Sequence, residues 1–173
     1  VGVDVNSFKD ALEYCSQSDV DVISIDTTQD ETIVPQVLDF ANSGRLALMI
    51  MESTSVVQAI EDLLSLFPQE DRSRALFLLT ESLRAVICQR LVPRRGGGLA
   101  VATEDLISTE AVRSLISSDR SKQLQTVMKS SRAEGMMSLD QSLAELVKAG
   151  EVSIDHAVDF AHDPDVFRTI AQK

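Results

Sequence analysis

Two acidic residues that follow apolar runs are the first candidates for chemistry in this sequence. Asp26 ends the run VISID (22–26), and Glu52 comes directly after LALMIM (46–51). Such runs are typical of parallel strands, and carboxylates at the carboxyl ends of parallel strands can order Mg²⁺ for phosphate chemistry. That role also needs a phosphate-binding loop, and the sequence contains no GxxxxGK[ST] segment. We therefore expect both acids to be solvated charges at the rim of a sheet.

The glycine cluster at 96–98 does not replace that loop. A phosphate-binding loop continues into a lysine and a helix, whereas Leu99 follows here and begins a strand-like segment at 99–102. We expect the three glycines to form the hinge of a hairpin.

Histidines and cysteines indicate no metal or covalent chemistry. His156 and His162 lie among aspartates, but a spacing of six places them on different faces of a helix, so a partly exposed structural role is expected for each. Cys15 and Cys88 match no metal-ligand or redox spacing and are predicted to be reduced core thiols. The sequence contains no GxSxG nucleophile elbow.

Charge is distributed unevenly along the 173 residues, whose net charge is −11. Residues 1–71 contain fourteen Asp and Glu against Lys9 and Arg45, whereas residues 72–173 contain thirteen acids and fourteen bases. Phosphates need cationic groups or aimed backbone donors, so the acidic segment is a poor stand-alone site for nucleotide or nucleic acid. A nucleic-acid site at Arg84, Arg90, Arg94 and Arg95 is disfavoured by the same overall acidity.

No apolar run approaches the roughly 20 residues of a membrane span, and the start of the chain has neither a basic flank nor an apolar signal core. A soluble, cytoplasmic protein without direct membrane insertion is expected. The chain begins at Val1 rather than Met, which suggests a processed, trimmed or partial chain; a tag or a deliberate cut explains it equally well.

The apolar pattern predicts a parallel βαβ unit near the start of the chain. Strands are predicted at 22–26 and 46–51, each buried on both faces, with a helix between them. Asp30 is the expected N-cap of that helix, Pro35 falls in its first turn, and Gly44 can provide a left-handed C-terminal cap.

Two more helices are predicted before the glycine cluster. The first begins at Ser53 or Ser55 and ends at Pro68. The second runs from about Asp71 to Leu91, with arginines exposed near its end, where a helix dipole favours basic residues.

A small helical bundle is predicted after the glycine cluster. Ser138 and Gln141 form a capping box, Gly150 ends the helix that they begin, and Ser153 caps the next one. The predicted helices lie at about 109–117, 119–130, 139–149 and 154–161.

Several short motifs, taken in order, resemble one family. The segment DVDVISI (19–25) resembles the family's Walker B strand, and residues 44–55 resemble its His-box strand. The segment AVRSLI (111–116) resembles the AIRNLIRE motif that is associated with retraction. Their order and spacing resemble the C-terminal half of the PilT-like twitching-motility ATPases, which are type IV pilus motors of the secretion ATPase superfamily.

This resemblance implies a fold and a domain division. The implied fold is α/β: the C-terminal part of a RecA-like P-loop NTPase domain, with a parallel βαβ core, followed by a small helical bundle. Residues 1–103 would form the partial ATPase core without its P-loop, and residues 104–173 the helical domain.

Departures from the family pattern fall at positions that serve ATP hydrolysis. Asp26 and Thr27 replace a Gly-Glu pair whose glutamate assists hydrolysis, and threonine cannot act as that base. Two family arginines fall at Gln17 and Gln29, and the His-box histidine falls at Glu52. One residue is also deleted after Asp30. No catalytic, cofactor-binding or metal site is therefore expected in this chain alone.

Two functions remain open on these grounds. The first is a degenerate or partial pilus-motor module, a pseudo-ATPase that has lost ATP binding and acts by protein association. The second is the C-terminal half of an active retraction motor whose Walker A half lies outside this chain, and that motor would use ATP and Mg²⁺. The resemblance implies like subunits in a hexameric ring and an inner-membrane platform protein as partners.

The expected contact motif of this module lies in the AIRNLIRE-like segment. It comprises Ala111, Arg113, Leu115 and Ile116, with Arg113 predicted to be exposed. In the alternative interpretation, Leu115 and Ile116 simply face the core. The segment ends in Ser117 and Ser118 rather than the family's charged pair, which weakens a role in retraction.

Overall fold

The computed structural model describes residues 3–26 and 31–172. Contacts divide the chain into two compact units, each built from two stretches of sequence. Unit 1 consists of Val1–Arg84 and Glu110–Ser121, and unit 2 of Ala85–Thr109 and Lys122–Lys173. Residue 103, where the sequence predicts a domain boundary, lies within a strand of unit 2. The division into an ATPase core and a helical domain stays a prediction.

Unit 1 contains the predicted βαβ unit, and its two strands pair in parallel from Val22 with Leu46 to Asp26 with Ile50. Its helices and strands are α1 (Phe8–Gln17), β1 (Val22–Asp26), α2 (Val34–Asn42), β2 (Leu46–Ile50), α3 (Val56–Ser65), α4 (Arg72–Ser82) and α5 (Glu110–Ser117).

Local signals set the ends of α2 and α3 as predicted. Pro35 lies in the first turn of α2, and Gly44 follows its end with a φ of 91°, a value that favours glycine. Asp30, the expected N-cap, lies outside the described residues. Ser55 rather than Ser53 caps α3, because its hydroxyl accepts a hydrogen bond from the Gln58 N–H at 3.1 Å.

The predicted helix from Asp71 to Leu91 is wrong in its second half. Helix α4 ends at Ser82, and Ala85–Pro93 forms strand β3. This strand pairs antiparallel with β4 (Leu99–Ile107), which is longer than the predicted segment 99–102. Nine cross-strand pairs outweigh the local helical pattern, and the glycine hinge at 96–98 is confirmed, with all three φ values positive.

Unit 2 contains this hairpin and the helices α6 (Leu124–Ser130), α7 (Leu139–Lys148), α8 (Ile154–Val158) and α9 (Pro164–Ala171). Its core is formed by buried residues of the hairpin and of α7–α9. The capping box of Ser138 and Gln141 is confirmed, and so is the Ser153 cap of α8.

Two predicted helices in the last third of the chain are shorter than expected. Helix α8 ends at Val158 because Asp163 and Pro164 begin a new helix, α9, which the sequence pattern did not indicate. The helix predicted at 119–130 is reduced to α6 after a short 3-10 turn, because Asp119 adopts a left-handed conformation with a φ of 56°.

Candidate functional site

The carboxyl ends of β1 and β2 form the candidate site. Asp26 is the last residue of β1 and lies beside Ile50, the last residue of β2, so Glu52 follows at the same edge of the sheet. Both acids are exposed. Thr27 and Gln29 lie outside the described residues. Gln17 is exposed at the end of α1, where its amide donates to Glu13 at 3.4 Å.

The charges at this edge disfavour phosphate. Two carboxylates repel a nucleotide's phosphates, which bind to cations or to aimed backbone N–H groups. Arg45 precedes β2, at the opposite end of the strand. Its guanidinium donates to the carbonyls of Ser16 at 3.1 Å and Ser18 at 3.3 Å. The strand ends that the structure describes therefore do not fit a triphosphate.

One face of the β1–β2 sheet is mostly apolar and is open, which corrects the prediction that both faces are buried. Side chains alternate along a strand, and one face, with Ile23 at its centre, packs on residues of α1 and α2. The other face, here called the open face, carries four apolar residues with exposed fractions of 42–57%: Val22, Leu46, Leu48 and Ile50. The exposed residues Ser24 and Asp26 lie on the same face, beside Leu48 and Ile50. Parallel sheets are usually covered on both faces, so this open face departs from the usual arrangement.

The predicted contact motif lies on α5, which packs against α4. Ala111 is exposed, but Arg113 is half-buried rather than exposed as predicted. Ile116 is fully buried and Leu115 half-buried, so the alternative that they face the core is confirmed for Ile116. A contact role for the motif stays a prediction.

An ion pair fixes the end of this motif to α4. The Arg72 guanidinium donates to both carboxylate oxygens of Asp119, at 2.9 and 2.7 Å, and lies 3.6 Å from Glu61. The hydrogen bond from Arg72 lowers the pKa of Asp119. Because all three side chains are partly exposed, the pair contributes less than about 1 kcal/mol to stability.

The predicted basic cluster is dispersed by the hairpin. Arg90 lies half-buried within β3, and Arg94 pairs with Glu151 at 2.6 Å. Cys15 and Cys88 are free thiols, each half-buried rather than fully in the core. Burial, followed by the nearby Glu104 carboxylate, raises the pKa of Cys88 to about 11. That thiol is therefore a poor nucleophile at neutral pH.

The structure also brings together polar residues that sequence reasoning missed. Glu104 is buried in β4, and Asp140 is buried in α7. The Nε2 atom of His162 lies 3.5 Å from Oε1 of Glu104, and His156 and His162 are both exposed residues. The alternation of LAVATEDLI offered a signal, because position 104 shares the inward face with Ala100, Ala102 and Leu106. Among the described residues, no group of three or more His, Cys, Asp or Glu could hold a metal ion.

The parallel strand pair and its helices define an α/β protein. Its fold corresponds to the C-terminal part of a RecA-like ATPase domain and the helices that follow that domain. The crystal structure of the pilus retraction motor PilT with bound ADP matches 98% of this chain and 48% of its own chain, with a TM-score of 0.86 and 29% identity. The Legionella pneumophila ATPase DotB shares the fold with a TM-score of 0.77 at 17% identity, and the match covers 90% of this chain and 42% of that one.

Proteins with similar sequences include a pilus retraction ATPase and a twitching motility protein. The type IV pilus retractation ATPase PilT of Pseudomonas aeruginosa is 32% identical over 164 residues, which cover 95% of this chain and 48% of the relative. A twitching motility protein of Neisseria gonorrhoeae is 32% identical over 87% of this chain and 41% of its own length. No protein-family model matches the chain.

This chain is homologous to the type IV pilus ATPases of the secretion ATPase superfamily, as its motifs predict. It spans about half the length of the curated relatives that it matches. In the part of the chain that the structure describes, no helix is long and apolar enough to cross a membrane.

Proposed function

We propose that this chain is a module of a type IV pilus motor that does not hydrolyse ATP by itself and acts by associating with other proteins. The observation that carries the proposal is the pair of acids at the carboxyl ends of β1 and β2, Asp26 and Glu52, where phosphates need positive groups. Thr27 occupies the position that resembles the family's catalytic glutamate, and its hydroxyl cannot act as a general base. The sequence also contains no GxxxxGK[ST] loop.

The open face supports the association. Helices α1 and α2 pack on the face that carries Ile23, whereas parallel sheets usually have both faces covered. Covering the exposed part of Val22, Leu46, Leu48 and Ile50 is worth on the order of 1 kcal/mol for each side chain. Like subunits in a ring are the first proposed partners, and the platform protein of a pilus machine at the inner membrane is the second. No nucleic-acid partner is proposed.

A second candidate function is favoured by the same open face. The chain could be the C-terminal half of an active retraction motor whose Walker A half covers that face. The relatives are about twice as long as this chain, which supports such a complement. In a completed motor, ATP and Mg²⁺ would be the cofactors, and Asp26 would supply the carboxylate near the metal.

We expect titration of Mg²⁺-ATP into the purified chain to give no binding heat, and a turnover assay on the same sample to give no phosphate release. The physical reason is that the chain supplies carboxylates, and no P-loop, where phosphates bind. Full-length PilT, measured in parallel, is the positive control. Micromolar binding by this chain would overturn the proposal.

The two candidate functions differ in how a longer protein responds to repair. The double substitution Thr27→Glu with Glu52→His restores the residues of the family. It is made in a longer protein that also contains an N-terminal half with a GxxxxGK[ST] loop. The pseudo-ATPase function predicts that the unrepaired longer protein is inactive. Turnover by the unrepaired protein would favour the active-motor function. An inactive protein that gains tenfold or more on repair would support the loss of the catalytic residues.

We expect Leu48→Lys with Ile50→Lys to weaken association of the chain at least about tenfold, because two ammonium groups would have to be desolvated in the contact. Sedimentation equilibrium, with the chain alone and with a full-length pilus ATPase, measures the dissociation constant. Phe77→Lys is the matched control, since Phe77 is equally exposed, at 59%, but lies on α4. If the wild type, the Leu48→Lys with Ile50→Lys variant and the Phe77→Lys variant have equal dissociation constants, the open face is not the contact surface.

A further inference from the structure

Two buried carboxylates in unit 2 converge on the turn between α8 and α9. Glu104 in β4 is 2% exposed and Asp140 in α7 is 1% exposed. Burying a carboxylate is costly unless a charged or hydrogen-bonding partner compensates it. His162, which lies in that turn, provides a partner for each carboxylate: its imidazole for Glu104 and its backbone N–H for Asp140.

The contacts tie the C-terminal helix to two different elements. The Nε2 atom of His162 lies 3.5 Å from Oε1 of Glu104, on the hairpin. The backbone N–H of His162 donates to Oδ1 of Asp140 at 2.8 Å, and the Asp163 N–H approaches the same oxygen at 3.5 Å. Asp163 then caps α9 by accepting from the N–H groups of Asp165 and Val166. One turn therefore holds α9 to both β4 and α7.

The imidazole of His162 is the group in this cluster that changes charge near neutral pH. Its hydrogen bond with Glu104 raises its pKa, and the Asp140 carboxylate adds to that effect, while burial and Arg90 oppose it. Cys88 faces Glu104 across the hairpin, but its pKa of about 11 keeps the thiol neutral. The His162 side chain is 31% exposed, so protons reach it from solvent.

We propose that His162 is a pH-operated latch, which holds the segment from α8 to α9 on β4 and α7 when its imidazole is protonated and loosens it when the imidazole is neutral. This regulation is independent of the proposed motor function. A group whose pKa is raised by folding contributes its full stability below its unfolded value, which is about 6.5 for histidine. That contribution is lost as the pH rises through the raised value in the folded protein.

Amide hydrogen exchange of the whole chain tests the latch. After correction for intrinsic exchange, we expect protection of the α9 amides (164–171) to fall about threefold or more between pH 6 and pH 8 in the wild type. His162→Gln keeps a hydrogen-bond donor but does not titrate, so its protection is expected to be independent of pH. His156→Gln, at an exposed position, is the matched control and should retain the wild-type response. Equal protection at both pH values in the wild type, or a full response in His162→Gln, would overturn the proposal.

NMR titration gives a second test that does not depend on the stability of a variant. The chain has two histidines, so His156→Gln identifies the His162 signal. We expect His162 to titrate above about 6.5 and Glu104→Gln to lower its midpoint. A wild-type midpoint at or below 6.5 would refute the latch, and so would a midpoint that a folded Glu104→Gln variant leaves unchanged.

Discussion

Phe167→Ala is expected to lower the free energy of unfolding by about 3–5 kcal/mol, the usual cost of truncating a fully buried aromatic side chain. Phe167 is 0% exposed and belongs to the core cluster that joins α9 to α7 and the hairpin. Truncation of the side chain loses the transfer free energy of the removed atoms. It also loses their packing contacts, because neighbouring side chains only partly fill the cavity. Urea denaturation followed by circular dichroism measures the change.

A second phenylalanine provides the matched control for that substitution. Phe77 on α4 is 59% exposed, so Phe77→Ala should change the free energy of unfolding by no more than about 0.5 kcal/mol. A similarly small effect for Phe167→Ala would mean that α9 does not pack on α7 within unit 2 as the structure has it.

Asp140→Ala is expected to destabilise unit 2 by about 2–3 kcal/mol. The substitution removes the buried carboxylate that accepts the His162 N–H at 2.8 Å, and it leaves that partly buried N–H without its acceptor. Asp140→Asn keeps an oxygen at the same position and should cost about 1 kcal/mol. Thermal unfolding at pH 7 measures both variants.

The control for Asp140 is an aspartate of the same unit that is exposed. Asp159 follows α8, and Asp159→Ala should shift the unfolding temperature little. If Asp140→Ala and Asp140→Asn destabilise equally, charge rather than the acceptor oxygen is what Asp140 contributes.

Local signals predicted much of the fold. The parallel strands follow from apolar runs, the end of α2 from Gly44, and the start of α7 from the capping box of Ser138 and Gln141. Each of these depends on residues within a few positions of one another. Strand β3 was missed because Leu79, Leu83 and Val86 also fit a helical stripe, and only pairing with β4 decides between the two structures.

The candidate site was predictable only where residues close together in the sequence determine it. The positions of Asp26 and Glu52 follow from the ends of two predicted strands. The contact of His162 with Asp140 joins residues 22 apart, and that of Arg72 with Asp119 joins residues 47 apart. No local pattern encodes such pairs. The open face was predicted as buried because an apolar strand has the same sequence whether or not its second face is covered.

The division of the chain into units has a consequence for how such a module can be exchanged between genes. The backbone passes from one unit to the other three times, after Arg84, after Thr109 and after Ser121. A single recombination crossover at any of these points would give a chimaera in which at least one unit is assembled from two parents. The two units can each come whole from a different parent only through three coordinated crossovers, one at each of these points, so the two units are expected to share one evolutionary history.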